Sequence, residues 1–198
     1  MPTARRRQRL EDVIAHRQAG LVLVAEDLHD PHNIGAMMRS CDAFGIQAVH
    51  AIFETQQRVN LRRVGKESSA SASLWLDIHE HARSADCLEG LGRAGFTRIG
   101  TLLDERAEDL YAYDFTRHER IALVIGNEHR GLSETAAGMV DQNVYIPMRG
   151  VVQSLNVSVT AALTLAEITR QRRAAGRLEP IDTAERERLR KQWGLGGD

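Results

Sequence analysis

Two short runs, "LVLVAED" at 21–27 and "IALVIG" at 121–126, constrain the fold more than any other feature of this chain. Each is too short for a buried helix. Neither alternates apolar with polar residues, so both faces must be covered, which is the condition of a strand inside a parallel sheet. "AVHAIF" (48–53), "LWLDIH" (74–79), "FTRIGTLL" (96–103) and "VYIPM" (144–148) read as further strands. Helix-length segments separate them: "IGAMMRSCDAFG", capped by Asn33 and closed at Gly45; residues 80–94, ended by Gly95; a short helix within "NEHRGLSETAAGMVDQ"; and a long one from Ser154 to Ala175. Strands that keep alternating with helices predict an α/β fold with a mostly parallel sheet flanked by helices.

The chain of 198 residues fits one domain with terminal additions. Residues 3–19 place Leu10, Val13 and Ile14 on one face among arginines, so residues 1–20 are expected to form a basic amphipathic helix. Residues 21–175 make the α/β domain, and 176–198 a charged extension with a helix at 183–193. Residues 54–75 lack periodicity and read as a mobile surface segment. No apolar run approaches the roughly 18 residues that span a bilayer, and no apolar core follows the N-terminal arginines, so the cytoplasm is the expected compartment. Cys41 and Cys87 lie far apart, without CxxC or Cys/His ligand spacing; neither a disulfide framework nor a metal is signalled.

Net charge is -1, but it is unevenly distributed. Residues 1–17 carry five Arg and two acids, residues 170–198 carry eight Lys/Arg and five acids, and the intervening body carries 13 basic and 20 acidic groups. Only Lys66 and Lys191 are lysines among the 26 basic residues, so the basic ends are built of guanidinium forks suited to bidentate phosphate contact. On charge alone, solvated helical faces and nucleic-acid binding stand level.

Three segments carry unexpected polar groups. "GNEHRG" (126–131) follows a buried strand, where open α/β sheets place ligands, yet Glu128 occupies the second glycine of a dinucleotide fingerprint and would repel a pyrophosphate. A carboxylate there suits a cationic or donor-bearing ligand, or simply caps a turn. "DPHNIGAMMRSCDAFG" (30–45) puts Arg39 in a helix whose inward candidates are Ile34, Met37, Met38 and Cys41; it either meets a substrate or reaches solvent or Asp42. "IPMRGVVQSLNVSVTAALTLAE" (146–167) gathers Gln153, Ser154, Asn156 and Ser158 at a helix start, a polar rim beside free N–H groups. Its small residues Ser158, Thr160, Ala161 and Ala162 allow close approach of another backbone. His29 and His32 straddle a Pro turn, His79 and His81 share a strand face without a Cys or carboxylate partner, and no hydrolase triad order is present.

Taken together and in this order, "PHNIGAMMRSCDAFG", "LVIGNEHRGLS" and "IPMRGVVQSLNVSVTAAL" resemble motifs 1, 2 and 3 of the SPOUT methyltransferases, in the SpoU/TrmH branch. The resemblance covers Leu21 to Arg173. It implies a SPOUT fold with a deep C-terminal trefoil knot, an exception to the usual absence of knots. It also implies S-adenosylmethionine as cofactor, a homodimer, and 2′-O-methylation of a ribose in RNA. The arginine-rich ends look most like members that methylate the D-loop guanosine of tRNA at nucleotide 18; ribosomal RNA, the wobble ribose and a non-catalytic RNA-binding role are the alternatives. Carried across by motif, the catalytic residues are Arg39, Asn33, Glu128, Ser154 and Asn156. The cofactor loops are expected at Thr101–Leu103, Gly126–Gly131 and Ile146–Leu155, with Thr101, Leu103, Gly126, Asn127, Gly131, Ile146, Met148 and Leu155 as contacts. Arg5, Arg6, Arg7, Arg9, Arg170, Arg172 and Arg173 are the tRNA-facing candidates. Neither a metal nor a membrane enters this expectation.

Overall fold

The computed structural model describes residues 3–63 and 72–195. Its strands are β1 (Gln18–Glu26), β2 (Ile46–Ile52), β3 (Asp77–His81), β4 (Thr97–Thr101), β5 (Glu108–Asp109), β6 (Ile121–Ile125) and β7 (Gln142–Tyr145). The helices are α1 (Ala4–Ala15), α2 (Pro31–Ala43), α3 (Ser84–Arg93), α4 (Glu134–Met139), α5 (Val157–Ala174) and α6 (Thr183–Gln192). All strands join one sheet in the order β3-β2-β1-β6-β4-β7-β5, and every pairing is parallel. Among the described residues, no helix is long and apolar enough to cross a membrane.

The unbroken apolar runs are explained by their place at the centre of this sheet. Leu21, Leu23 and Ala25 of β1 point into a core with Ile34, Met37, Met38 and Cys41 of α2 and Ala161, Leu165 and Ile168 of α5. The alternate residues Val22 and Val24 point the other way, with Ala122 and Val124 of β6, against Cys87, Leu88 and Leu91 of α3 and Ala136 of α4. Strand geometry sends successive side chains to opposite faces, so a strand covered on both needs no polar position. Each fully buried Leu, Val or Ile contributes about 1.5–3 kcal/mol relative to exposure.

The boundaries differ from the sequence expectation where capping decides. α2 starts at Pro31, with the Asp30 carboxylate accepting from the His32 N–H at 2.8 Å, so Asn33 is not the cap but a buried residue of the first turn. α5 starts at Val157, because Asn156 rather than Ser154 accepts from the free N–H groups of Ser158 and Val159. Residues 54–75 are less superficial than their composition implies: Leu61, Ala72 and Ser73 are buried, while 64–71 lie outside the described residues.

The basic ends are stitched to each other and to the sheet. α1 stops at Ala15, short of the expected residue 19, and the chain enters β1 at Gln18. The Ala19 N–H donates to Glu179 O at 2.9 Å and the Ile181 N–H to Arg17 O at 3.0 Å, while Ile14, Ile181, Leu189, Trp193 and Leu195 form a separate apolar cluster. Arg17, fully buried, pairs with Asp42 at 2.7 Å and lies over the Trp193 ring. Arg172 corrects an expectation too. It does not face nucleic acid; it is 3 % exposed and donates to the carbonyls of Ala19, Gly20 and Glu119 at 3.0–3.2 Å, fixing the amino ends of β1 and β6. Removing a buried guanidinium leaves these carbonyls unpaired, so Arg172→Ala should lower the unfolding free energy by about 2–4 kcal/mol. Exposed Arg173→Ala should change it by less than about 0.5 kcal/mol in the same denaturant melts.

Candidate active site

The carboxyl ends of β1 and β6 carry a polar lattice, and the lattice fixes the loops around them. β1 ends on two buried acids, Glu26 and Asp27, each 1 % exposed. Glu26 accepts from the Ser133 N–H at 2.9 Å and hydroxyl at 2.7 Å and from the Ser84 hydroxyl, which ties the starts of α4 and α3 to the strand. Asp27 turns the chain at φ 49°, a left-handed conformation that Asp tolerates better than most residues. Its carboxylate accepts from the N–H groups of Glu54, Thr55 and Gln56 at 2.7–3.2 Å, from the Thr55 hydroxyl at 2.8 Å, and from the Arg130 guanidinium at 2.5 Å. Burial alone would raise the Asp27 carboxyl; the donors from Thr55, Gln56 and Glu54 outweigh it and hold it below its ordinary value.

Glu128 repeats this arrangement one loop further on. It accepts from the His29 N–H at 2.9 Å, the Asp30 N–H at 3.2 Å and the Asn33 amide at 2.7 Å. Burial pushes its carboxyl up, but the His29 N–H and the Asn33 amide, with further backbone donors, bring it below the ordinary carboxylate range. Glu128 is therefore an ionised acceptor with protein partners, which answers the alternatives left by its sequence: its donors come from this chain. The Asn33 amide oxygen accepts in turn from the Asn156 amide at 3.1 Å, and Asn156 caps α5. Glu128, Asn33 and Asn156, joined by bonds that span 95 and 123 positions, thus form one hydrogen-bonded chain.

Beside this chain lies a cavity of ≈ 690 Å³. Thr101, Leu103, Ile146, Met148, Ser154 and Leu155, from the two loops that follow β4 and β7, line it. Gly126, Asn127 and Gly131 do not. Asn127 and Gly131 exchange N–H···O=C bonds of 2.9 Å in both directions, and a side chain on Gly126 would overlap the backbone of Gly131 and Leu132. The Asn127 amide holds the Asp27 carbonyl at 2.6 Å, so this side chain serves the turn. Leu102, Gly150 and Gln153 on the same two loops also line it, and Leu110, Tyr145, Thr160 and Thr164 join the wall from outside them, the two threonines four residues apart on one face of α5.

Arg39 stands apart. It is exposed on α2, and among the described residues it has no ion pair or hydrogen bond; Asp42, its expected neighbour, is held by Arg17. An exposed guanidinium without such partners is available to an anionic ligand. A second surface joins α1 to α5: Arg9, Arg170 and Arg173 line one cleft of ≈ 980 Å³. Arg170 is engaged there by Glu167 at 2.7 Å. Arg5 and Arg6 are exposed on α1, and Arg7 reaches the Leu195 carbonyl at 3.4 Å.

The family model described as the SpoU rRNA Methylase family matches residues 20–166, which hold all three linked segments. The chain belongs to the SpoU rRNA methylase family. It is 38 % identical over 183 residues to the tRNA (guanosine(18)-2′-O)-methyltransferase of Thermus thermophilus, covering 90 % of this chain and 91 % of that one. The crystal structure of the Aquifex aeolicus TrmH/SpoU tRNA modifying enzyme superposes with a TM-score of 0.82 at 29 % identity, over 96 % of this chain and 94 % of the other. The SpoU methyltransferase AviRb from Streptomyces viridochromogenes, solved in complex with the cofactor AdoMet, gives a TM-score of 0.68 at 30 % identity, over 82 % of this chain and 64 % of that one.

In this SpoU methylase the lattice should be visible in acid stability. Asp27 and Glu128 are held below their ordinary values of 3.8 and 4.5, so their contribution is fully present above pH 4.5 and is lost as pH falls through the folded values. The unfolding free energy should drop in that window. Asp27→Asn should be about 1–3 kcal/mol less stable at pH 7 and lose less on acidification, as measured by urea melts between pH 7 and pH 3.

Proposed function

We propose that this SpoU methylase transfers a methyl group from S-adenosylmethionine to the ribose 2′-oxygen of the D-loop guanosine, nucleotide 18, of tRNA. The observation that carries this reading is the Glu128–Asn33–Asn156 chain, which joins three segments next to a loop-walled cavity, with the exposed Arg39 on the same helix as Asn33. The Thermus relative, matched along nearly its whole length, supports the substrate.

The cavity suits the cofactor. Its volume lies within the usual range for small-molecule sites, and Leu102, Ile146, Met148 and Leu155 offer an apolar bed for a flat base. Loop backbone and the Thr101, Ser154 and Thr160 hydroxyls offer polar contacts around it. The AdoMet-bound AviRb supports the same ligand. When bound, the cofactor supplies a methyl on a sulfonium, ready for in-line displacement.

The chain's own residues must favour loss of the 2′-hydroxyl proton, because the neutral hydroxyl is a poor nucleophile. A guanidinium is a poor base, so the role of Arg39 is to stabilise the developing oxyanion and the neighbouring phosphate while the proton leaves to a substrate phosphate or to water. Glu128 does not act as the base, since its oxygens are occupied and its charge is stabilised. It positions Asn33, and through it Asn156, so that the three loops keep one geometry. Ser154, exposed at the cavity rim, is placed to meet the ribose.

Two further features belong to this reading. Chain return from β7, at one side of the sheet, to α5 packed on α2 supports the deep C-terminal trefoil knot. Val151 and Val152 on the cavity loop, with Val159 and Leu163 one turn apart on α5, are exposed, and they support a homodimer whose partner covers them. Residues 21–175 then form the catalytic domain, and the basic ends, 1–20 and 176–198, contact tRNA.

Labelled methyl transfer to unmodified tRNA, with mapping of the 2′-O-methyl position, tests the activity. Arg39→Ala should lower kcat about 100- to 1,000-fold and leave cofactor affinity within about twofold. Full activity of Arg39→Lys would sink the role given to the guanidinium fork. For tRNA binding, Arg9→Ala and Arg173→Ala should each weaken affinity and reduce the salt dependence by about one counterion, with cofactor binding intact. An unchanged salt slope in the double variant would remove the basic ends from the interface.

A further inference from the structure

The open edge of the sheet holds a group that methyl transfer does not use. His50 of β2, His81 of β3 and Cys87 of α3 converge so that one ligand atom from each lies within 4.8 Å of the other two. The His50 Nδ1 and His81 Nε2 atoms are 3.0 Å apart, and the two rings stack at 5.2 Å with planes 17° apart. None of the three lines the cofactor cavity; all line a separate cleft of ≈ 770 Å³, together with Asp86. Strand pairing created this group. In sequence His81 lacked a cysteine partner, and the parallel register of β2 with β3, followed by the first turn of α3, brings one to it from six residues further on.

We propose that His50 Nδ1, His81 Nε2 and Cys87 Sγ form a binding site for one late first-row cation of the Zn²⁺ type, with the fourth position open to the cleft. The donor set decides the class: two imidazoles and a thiolate suit zinc and its neighbours, and the absence of carboxylate oxygens among the three disfavours Mg²⁺ or Ca²⁺. The spacing agrees. With metal–nitrogen bonds of about 2.0–2.1 Å and a metal–sulfur bond of about 2.3 Å, tetrahedral ligand atoms stand about 3.3–3.6 Å apart, so the histidine pair opens by a few tenths of an ångström and the sulfur closes by about 1 Å. Without the cation the two nitrogens are hydrogen-bonded to each other, so one ring moves its proton to its other nitrogen when the cation binds. The thiol gives up its proton on binding.

Bound metal would join β2, β3 and α3, and α3 is already tied to the end of β1 through Ser84 and Glu26. The proposed role is a staple that holds the sheet edge beneath the active-site loops.

The test uses the full chain, freed of metal by a chelator and shown to be folded by circular dichroism. Titration with Co²⁺ should give a saturable one-to-one thiolate charge-transfer band that Zn²⁺ displaces, with release of one proton and a rise in Tm. Cys87→Ser should abolish the band, Cys41→Ser should keep it, and His50→Ala should weaken affinity at least tenfold. Zinc-edge X-ray absorption of the wild-type protein gives an answer independent of any variant, with one sulfur and at least two nitrogens expected around the ion. No saturable binding by the folded wild-type chain, a band that survives Cys87→Ser, or a zinc shell without sulfur would each overturn the proposal.

Discussion

The convergence of backbone N–H groups on the Asp27 carboxylate is the interaction on which the site depends. A buried carboxylate without donors would be costly, and this one recruits them from residues 54–56, beyond the end of β2, while its own carbonyl is held by Asn127 after β6. Glu26 does the same for the starts of α3 and α4, and Glu128 for the turn before α2. The connections after β1, β2 and β6 are thereby fixed by three acids, and Asn33 passes that order on to Asn156 at the start of α5. Arg130 brings a guanidinium into the lattice, and it closes Asp27 from the solvent side.

The parallel sheet was legible because its central strands must be apolar on both faces, a demand that leaves a mark in five consecutive residues. The helix starts were less so. Asn33, Ser154 and Asn156 are all good caps in isolation, and only the position of Asp30 ahead of Pro31, and of Asn156 ahead of Val157, settles which one is used. Among the site residues, sequence motifs named Glu128, Asn33 and Asn156 but could not show that they touch, because each bond spans at least 95 positions. The glycine loop, expected among the cofactor contacts by resemblance, folds into a tight turn whose glycines do not line the cavity. The His50–His81–Cys87 group left no trace at all: its members belong to two strands and a helix, and their spacing follows no local rule.

Arginine shows most clearly why composition underdetermines function. Arg17 and Arg172 sit in the two basic ends and add to their apparent charge, yet both are buried and serve the fold by gathering carbonyls or an acid. Arg173 differs from Arg172 in the face of α5 it occupies, and Arg9 is exposed on α1. One position along a helix turns a side chain by about 100°, so adjacent Arg172 and Arg173 point to opposite fates. Charge counted along the chain therefore overstates the surface available to a polyanion.

The strand order carries a consequence for the nascent chain. β1 gains its second neighbour only when β6 arrives, and their register pairs Leu21 with Ile121, a separation of 100 residues. During synthesis, half of the backbone hydrogen-bonding groups of this apolar strand stay open while everything from α2 to the turn before β6 is made. Such non-local closure slows folding and prolongs exposure of an adhesive edge. For this chain the hazardous interval is set by translation speed, so slowing the ribosome lengthens the time in which one unpaired strand can meet another.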